Sequence, residues 1–250
     1  MNSKTVIITG GTKGIGAAIA EEFYKDDYHV VIGARHDNGF VSSLGPRAKF
    51  QQIDARKEND HHKLVTTANK WTGRVDVYIN CAGFSAWNPI EKIDNRFLSE
   101  MLDVNLKGTF WGCKAAARFM KKGGSIINIS SLAGKRGSVN NSAYCASKFG
   151  VTGLTQALAK ELGNKGIRVN AVCPVYIETP GLMKALKSKV SPTKGQDIDS
   201  YFEEFILKQS ALGRLPLASE VAKTCLFLAS DAASVITGQS INVDCGVLPQ

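Results

Sequence analysis

The sequence predicts an α/β chain in which a parallel sheet carries helices on both faces within one domain. Three observations lead there. Short β-branched apolar runs alternate with helix-period segments along the chain. Those runs are continuously apolar, as strands buried on both faces are, rather than alternating apolar with polar. The length of 250 residues, with 44% hydrophobic and 21% charged residues, suits one large core. The same composition excludes disorder, a collagen-like repeat and a disulfide-dense scaffold.

The elements follow in order. Residues 6–9 (VIIT) form a short buried strand, and after a glycine-rich turn the Ala/Ile/Glu pattern of 15–24 predicts a helix. Strands are predicted at 29–34 (HVVIGA) and 49–53 (KFQQI), the latter ended by Asp54. A helix over 57–71 leads to a strand at 75–79, a long helix over 96–120 to a strand at 125–129 (SIINI), and a long helix over 143–162 to a strand at 167–172. The β-α alternation is that of a doubly wound parallel sheet. Beyond Pro174 two short helices, 181–189 and 198–210, flank the turn-rich SPTKGQ. A helix over 219–229 and a strand over 239–243 complete one domain, 1–250, with no linker and no internal repeat.

Several function classes fall away early. The six cysteines are widely and irregularly spaced without a C-x-x-C pair, so reduced thiols are expected rather than disulfides or zinc, and no metal site is expected. The four histidines are His29, His36, His61 and His62, the last two in a polar helix start, which disfavours Ser-His-Asp or metal-dependent chemistry. No apolar stretch reaches the roughly 18 residues of a membrane helix. The opening MNSKTVIITGG runs straight into glycines, so a soluble, cytoplasmic protein without a secretory segment is expected. The net charge of +9 is compatible with nucleic acid, an anionic membrane or a phosphorylated small molecule, the simplest reading being a solvated surface.

The segment Thr9-Gly10-Gly11-Thr12-Lys13-Gly14-Ile15-Gly16 sits between the first strand and first helix. Glycines there let the backbone approach a pyrophosphate resting on the helix N-terminus, as in a Rossmann-type dinucleotide site. A glycine-rich turn also occurs for backbone reasons alone; its place at the start of a βαβ unit is what points to a dinucleotide. The spacing TG-x-x-x-G-I-G departs from G-x-G-x-x-G and resembles the motif of the short-chain dehydrogenase/reductase family. The resemblance extends over nearly the whole chain. Asn80-Cys81-Ala82-Gly83 is similar to the family's N-N-A-G, with Cys81 replacing the second Asn. Asn105 in LDVNLKG, Ser131 in INISS, Tyr144 and Lys148 in YCASK, Asn170-Ala-Val-Cys-Pro174 and Thr179 follow at family-like spacing.

The resemblance implies a catalytic group of Ser131, Tyr144, Lys148 and Asn105. It implies a cofactor site of Gly10, Thr12, Lys13, Gly14, Ile15, Gly16, Arg35, Asp54, Ala55, Asn80, Ala82, Gly83, Tyr144, Lys148, Pro174, Ile177 and Thr179. An acidic residue at the end of the second strand would hold the adenosine ribose hydroxyls and repel a 2′-phosphate. Ala34 stands there, followed by Arg35, with Lys13 in the glycine loop. Two cations and no carboxylate favour NADP(H). Asp37 is read as a loop residue. Asp54 resembles the family's adenine-contacting Asp, a simple strand-end turn being the alternative.

Tyr144 and Lys148, four apart on a helix, share one face. A tyrosine with a pKa of about 10 is a poor base near neutrality, and an adjacent ammonium would lower it. By resemblance Tyr144 transfers the proton at the carbonyl oxygen, Ser131 hydrogen-bonds that oxygen, and Lys148 tunes Tyr144 and orients the ribose. Asn105 supports a water that relays protons. Ser130 is the neighbouring competitor for the serine role, and Cys145 is read as a helix-packed thiol. Val175 stands where the family usually has Gly, which puts the local fit beside the nicotinamide in question.

Residues 176–215 are expected to cover the substrate, with Ser85, Trp87, Val139 and Tyr176 as further pocket candidates. The lysines at 184, 187, 189 and 194 suit either an acidic substrate or a solvated helix face. The function expected is NADPH-dependent reduction of a ketone or aldehyde, reversible to alcohol oxidation. Three substrate classes stay open: a 3-oxoacyl thioester, a small (di)ketone or hydroxyketone, and a sugar-like or cyclic ketone. The rivals are a non-catalytic NADP-sensing regulator and, from charge alone, nucleic-acid binding, for which no motif is present. A small-molecule substrate and a homotetramer are the expected partners, with no nucleic acid and no membrane.

Overall fold

A computed structural model describes residues 3–120 and 123–249. Seven strands form one sheet in the order β3-β2-β1-β4-β5-β6-β7: β1 Thr5–Thr9, β2 His29–Ala34, β3 Ala48–Gln52, β4 Val77–Asn80, β5 Gly124–Ile129, β6 Ile167–Pro174 and β7 Ser240–Val243. Every neighbouring pair is parallel. The helices are α1 Gly14–Lys25, α2 Phe40–Leu44, α3 Glu58–Thr72, α4 Asn95–Leu102, α5 Gly108–Phe119, α6 Ser142–Leu162, α7 Pro180–Leu186, α8 Ile198–Gln209 and α9 Ala218–Ala229.

Strand alternation divides the core. Val6 and Ile8 face Ile19 and Phe23 of α1 and Val221 and Cys225 of α9 on one side. Ile7 and Val31 face Leu64 and Ala68 of α3, Cys113 and Ala116 of α5 and Leu162 of α6 on the other. All these side chains are at most 3% exposed, which is why the strands read as unbroken apolar runs. A third cluster, built on Phe202 and Phe205 of α8 with Leu186, Trp87 and Leu132, roofs the C-terminal edge of the sheet. Among the described residues no helix is long and apolar enough to cross a membrane.

Most predicted elements appear within two residues of their expected ends. The continuous helix expected over 96–120 does not. It is three pieces, α4, a π-helical turn at Asp103–Lys107, and α5. Within the turn the Asn105 amide faces inward and bonds the backbone of Phe84, while the Thr109 hydroxyl donates to the Asn105 carbonyl at 2.8 Å. A one-residue change of helical register leaves the apolar periodicity of α4 and α5 almost intact, so sequence pattern does not expose it. The five-residue α2 is likewise too short to announce itself.

His61 is a second correction. It does lie at the start of a helix, in the first turn of α3, but its side chain is fully buried. Nε2 lies 2.8 Å from the Ala55 carbonyl and so carries the proton, leaving Nδ1 to accept from the Tyr78 hydroxyl at 2.8 Å. Burial holds the imidazole below its usual pKa. His61→Ala should destabilise the protein by about 2–4 kcal/mol, from the cavity and the two stranded partners. The unfolded chain binds the His61 proton as pH falls through about 6.5 and the native state binds it only at lower pH. Stability therefore falls with acid across that window. Chemical denaturation of wild type and His61→Gln from pH 8 to 5 should show this component of the slope in wild type alone.

Candidate active site

The chain leaves β1, β2, β3, β4, β5 and β6 toward one cleft of about 660 Å³, lined by Gly10, Arg35, Asp54, Gly83, Ser131 and Pro174 among others. Connections outside the C-terminal edge of a doubly wound sheet converge this way where the strand order reverses, here between β1 and β4.

At one end lies the glycine loop. Gly10 has φ +71°, donates to the Gly33 carbonyl at 2.7 Å, and leaves a Cβ only 2.8 Å from the Ala82 Cα. A Cβ at Gly16 would run into the Gly10 carbonyl. These glycines therefore let β1, β4 and α1 meet. The N-terminus of α1 has no side-chain cap, so its first N–H groups are open to an anion. Thr12, Lys13, Gly14, Ile15 and Gly16 all line the cleft beside them.

Ala34 ends β2, and Arg35 and Lys13 are exposed at the same rim. Neither joins an ion pair among the described residues. Asp37 is occupied locally, accepting from the Gly39 N–H at 3.1 Å. Asp54 and Ala55 also line this end, but the Asp54 carboxylate is gripped by the Arg56 guanidinium, with contacts down to 2.6 Å. Those bonds hold its pKa below the usual carboxylate value, and a purine amine would have to share the carboxylate with Arg56.

Asn80 departs from expectation, for it does not line the cleft. Its Nδ2 donates to Asn128 Oδ1 at 2.9 Å, and Asn128 in turn donates to Thr155 of α6 at 2.9 Å. The pair ties β4 to β5 and α6 beneath the site. The tie between β1 and β4 is made by the Thr9 hydroxyl, which accepts from Cys81 N at 3.1 Å and Ala82 N at 3.2 Å, so Cys81 costs no strand linkage.

At the centre Ser131, Tyr144 and Lys148 share the cleft. Ser131 lies two residues beyond β5 in extended backbone, and its hydroxyl accepts from the Ala133 N–H at 3.1 Å. Ser130 is 2% exposed and donates to the Lys148 carbonyl at 3.2 Å, which leaves Ser131 as the serine that faces Tyr144. Lys148 is 6% exposed, donates from Nζ to the Ile129 carbonyl at 2.8 Å, and lies 5.7 Å from the Tyr144 ring centroid. Burial pushes the Lys148 ammonium down to about 8 and the Tyr144 phenol up to about 12, the neighbouring Ser131 hydroxyl opposing the latter. This departs from the expected lowering of Tyr144 by Lys148: burial dominates, and the opposing influence comes from Ser131 rather than from the lysine. At neutral pH Tyr144 thus holds its proton.

Asn105 lies behind this group rather than in the cleft. Its Oδ1 accepts from Phe84 N at 3.0 Å, and Nδ2 donates to Phe84 O at 2.9 Å and Ser147 Oγ at 3.2 Å. A Cβ on Gly83 would meet Asn105 Oδ1 at 3.0 Å and Lys148 Nζ at 3.7 Å. Asn105 thus fixes the backbone that lets Lys148 lie close to β4.

Pro174, Ile177 and Thr179 line the far wall, Thr179 also capping α7 through Leu182 N at 3.3 Å. Val175 lines it too, and its absence from the positive-φ residues means the valine fits without backbone strain. Ser85, Trp87 and Tyr176 line the cleft as expected, joined by Leu182 and Phe205; Val139 does not and is 83% exposed. The lid lysines Lys184, Lys187, Lys189 and Lys194 are all exposed. Arg136, Ser138 and Asn141 are cleft residues that the motif reading missed. They lie between two motif positions, where spacing carries no signal.

The comparisons agree with this geometry. The model of a family described as enoyl-(acyl carrier protein) reductase matches residues 10–248. The chain is 36% identical to a diacetyl reductase [(S)-acetoin forming] of Staphylococcus epidermidis, covering 98% of this chain and 99% of that one. It is 35% identical to a 3-oxoacyl-[acyl-carrier-protein] reductase of Chlamydia trachomatis, covering 98% and 97%. A variant of actinorhodin polyketide ketoreductase, solved with NADPH, superposes with a TM-score of 0.90 at 32% identity, over 98% of this chain and 97% of that one. The chain belongs to the short-chain dehydrogenase/reductase family, oxidoreductases that use a nicotinamide cofactor.

Proposed function

We propose that the protein is an NADP(H)-dependent carbonyl reductase whose catalytic residues are Ser131, Tyr144 and Lys148. The observation that carries this reading is their convergence in the same cleft as the open helix N-terminus of α1 and the glycine loop. The glycine loop, with no room for side chains where Gly10 and Gly16 pack, suits a dinucleotide pyrophosphate. When bound, the nicotinamide supplies the hydride that reaches the carbonyl carbon.

The protein's own part is proton transfer and charge stabilisation. Tyr144, protonated at neutral pH, gives its proton to the carbonyl oxygen as negative charge develops there. Ser131 donates a hydrogen bond to the same oxygen. Lys148 carries its charge beside the Tyr144 ring and is placed to hold the cofactor's ribose hydroxyls. Asn105 acts as a positioning residue through Phe84 and Gly83. The lid formed by α7 and α8 excludes water from the reacting atoms. The names of the relatives, reductases of diacetyl and of 3-oxoacyl groups, support a ketone as substrate.

NADP(H) rather than NAD(H) is supported by Arg35 and Lys13, cations outside ion pairs at the rim where β2 ends in Ala34. The NADPH of the actinorhodin relative points the same way. The exposed Leu98, Phe110 and Phe149, from α4, α5 and α6, support pairing with further copies of the chain as a homotetramer. The free, mostly buried cysteines suit a reducing, cytoplasmic compartment.

Tyr144→Phe should lower kcat for NADPH-dependent ketone reduction by about a hundredfold to ten-thousandfold. NADPH binding, read by fluorescence, should survive; retained turnover would contradict the proposed mechanism. Arg35→Asp should lower the NADPH/NADH ratio of kcat/KM by about tenfold to a hundredfold, through lost charge-assisted bonds and added repulsion. An unchanged ratio would remove Arg35 from phosphate recognition.

A further inference from the structure

Two cleft residues leave buried polar atoms without a partner. Trp87 is 7% exposed, and its indole Nε1, a donor only, is unpaired. Asn141 is 5% exposed, and its Oδ1, an acceptor only, is unpaired. Both line the cleft that contains Ser131 and Tyr144. Their segments run side by side, joined by the Asn88 N–H to the Asn140 carbonyl at 2.7 Å.

The free Oδ1 is unusual for its position. Asn141 is the N-cap of α6, where an asparagine oxygen ordinarily accepts from the first turn of the helix. Here no side-chain cap bond forms, and the amide is instead anchored through Nδ2 to Ser138 Oγ at 3.0 Å. The acceptor is therefore withheld from its nearest partner, one helical turn before Tyr144. Buried polar groups are satisfied in most native structures, and an unmet donor and an unmet acceptor in the lining of one cleft are costly unless something meets them.

We propose that Trp87 Nε1 and Asn141 Oδ1 form a subsite for a substrate hydroxyl, so that the substrate is a hydroxylated carbonyl compound rather than a simple ketone. A hydroxyl both accepts and donates, so it is the group whose chemistry suits an unmet donor and an unmet acceptor in one cleft. This rests on the proposed reductase activity and narrows its substrate class. A hydroxyl-reading site discriminates strongly because the analogue without the hydroxyl leaves buried groups unpaired, whereas an apolar pocket does not.

The test uses matched pairs, hydroxyacetone against acetone and acetoin against 2-butanone, with NADPH and the full chain. The ratio of kcat/KM within each pair should favour the hydroxyl member by about tenfold to a hundredfold. Trp87→Phe keeps the ring and removes the donor, and Asn141→Leu removes the acceptor. Each should bring the ratio down by about fivefold or more, and the double variant should lose less than the product of the two, since one hydroxyl serves both. Ratios near one in wild type would overturn the proposal and assign the pair to an ordered water. Unchanged ratios in both variants would overturn it as well, since a packing role lowers both members of a pair together. If no carbonyl is reduced although NADPH binds, the proposed function itself fails. The subsite is then judged by saturation-transfer NMR of hydroxyacetone and acetone on the NADP+-loaded protein. Signal from hydroxyacetone alone, lost in Asn141→Leu, supports it; equal signals, or none, overturn it.

Discussion

The structure turns on a lysine ammonium withdrawn from water. Lys148 Nζ is held at 2.8 Å by the last carbonyl of β5, and the surroundings of α6 follow from keeping it there. Isolating a charge costs several kcal/mol, so every neighbour must either bond it or leave room for it. Ser130 clamps the Lys148 carbonyl, and a Cβ at Gly134 would come within 2.7 Å of that same oxygen. Gly83 leaves the space between Lys148 and Asn105, and the π-helical turn aims Asn105 at Phe84. The residual cost shows as a pKa pushed down to about 8.

Beneath the lysine the sheet carries a polar thread rather than an unbroken apolar core. Asn80, Asn128 and Thr155 are buried and bonded in series across β4, β5 and α6. Such a thread stabilises modestly, but it penalises any other register, since each misplaced amide would be stranded in the core. The strand ends are thereby fixed to the geometry that brings Ser131 toward Tyr144. At the other end of the cleft the electrostatics differ in kind. Arg35 and Lys13 sit at an exposed rim, whereas Asp54 has its charge taken up by Arg56.

Much of this was legible in the residues. The strands could be read because both faces of the sheet are covered, which makes Val6 to Ile8 and Ile126 to Ile127 uniformly apolar. The glycine loop and the Tyr144–Lys148 pair could be read because their spacing is local and their elements regular. What escaped depends on partners far along the chain. Asn80 looks like a cleft residue until Asn128, 48 positions on, claims its amide. His61 stands in a polar helix start, and its burial shows only once the Tyr78 hydroxyl and the Ala55 carbonyl are placed around it. The π-helical turn and the unpaired Trp87 and Asn141 leave no periodic trace, since each is defined by what another segment supplies or withholds.

Hydride transfer itself can be followed directly. With NADPH carrying deuterium on the transferring face of the nicotinamide C4, the alcohol product should hold one deuterium on its carbinol carbon, detected by mass spectrometry and NMR. The labelled alcohol should appear with wild type and should form about a hundredfold to ten-thousandfold more slowly with Tyr144→Phe. Alcohol formed without carbon-bound deuterium from either C4 face, or none formed from any ketone while the labelled cofactor is bound, would contradict a carbonyl reductase.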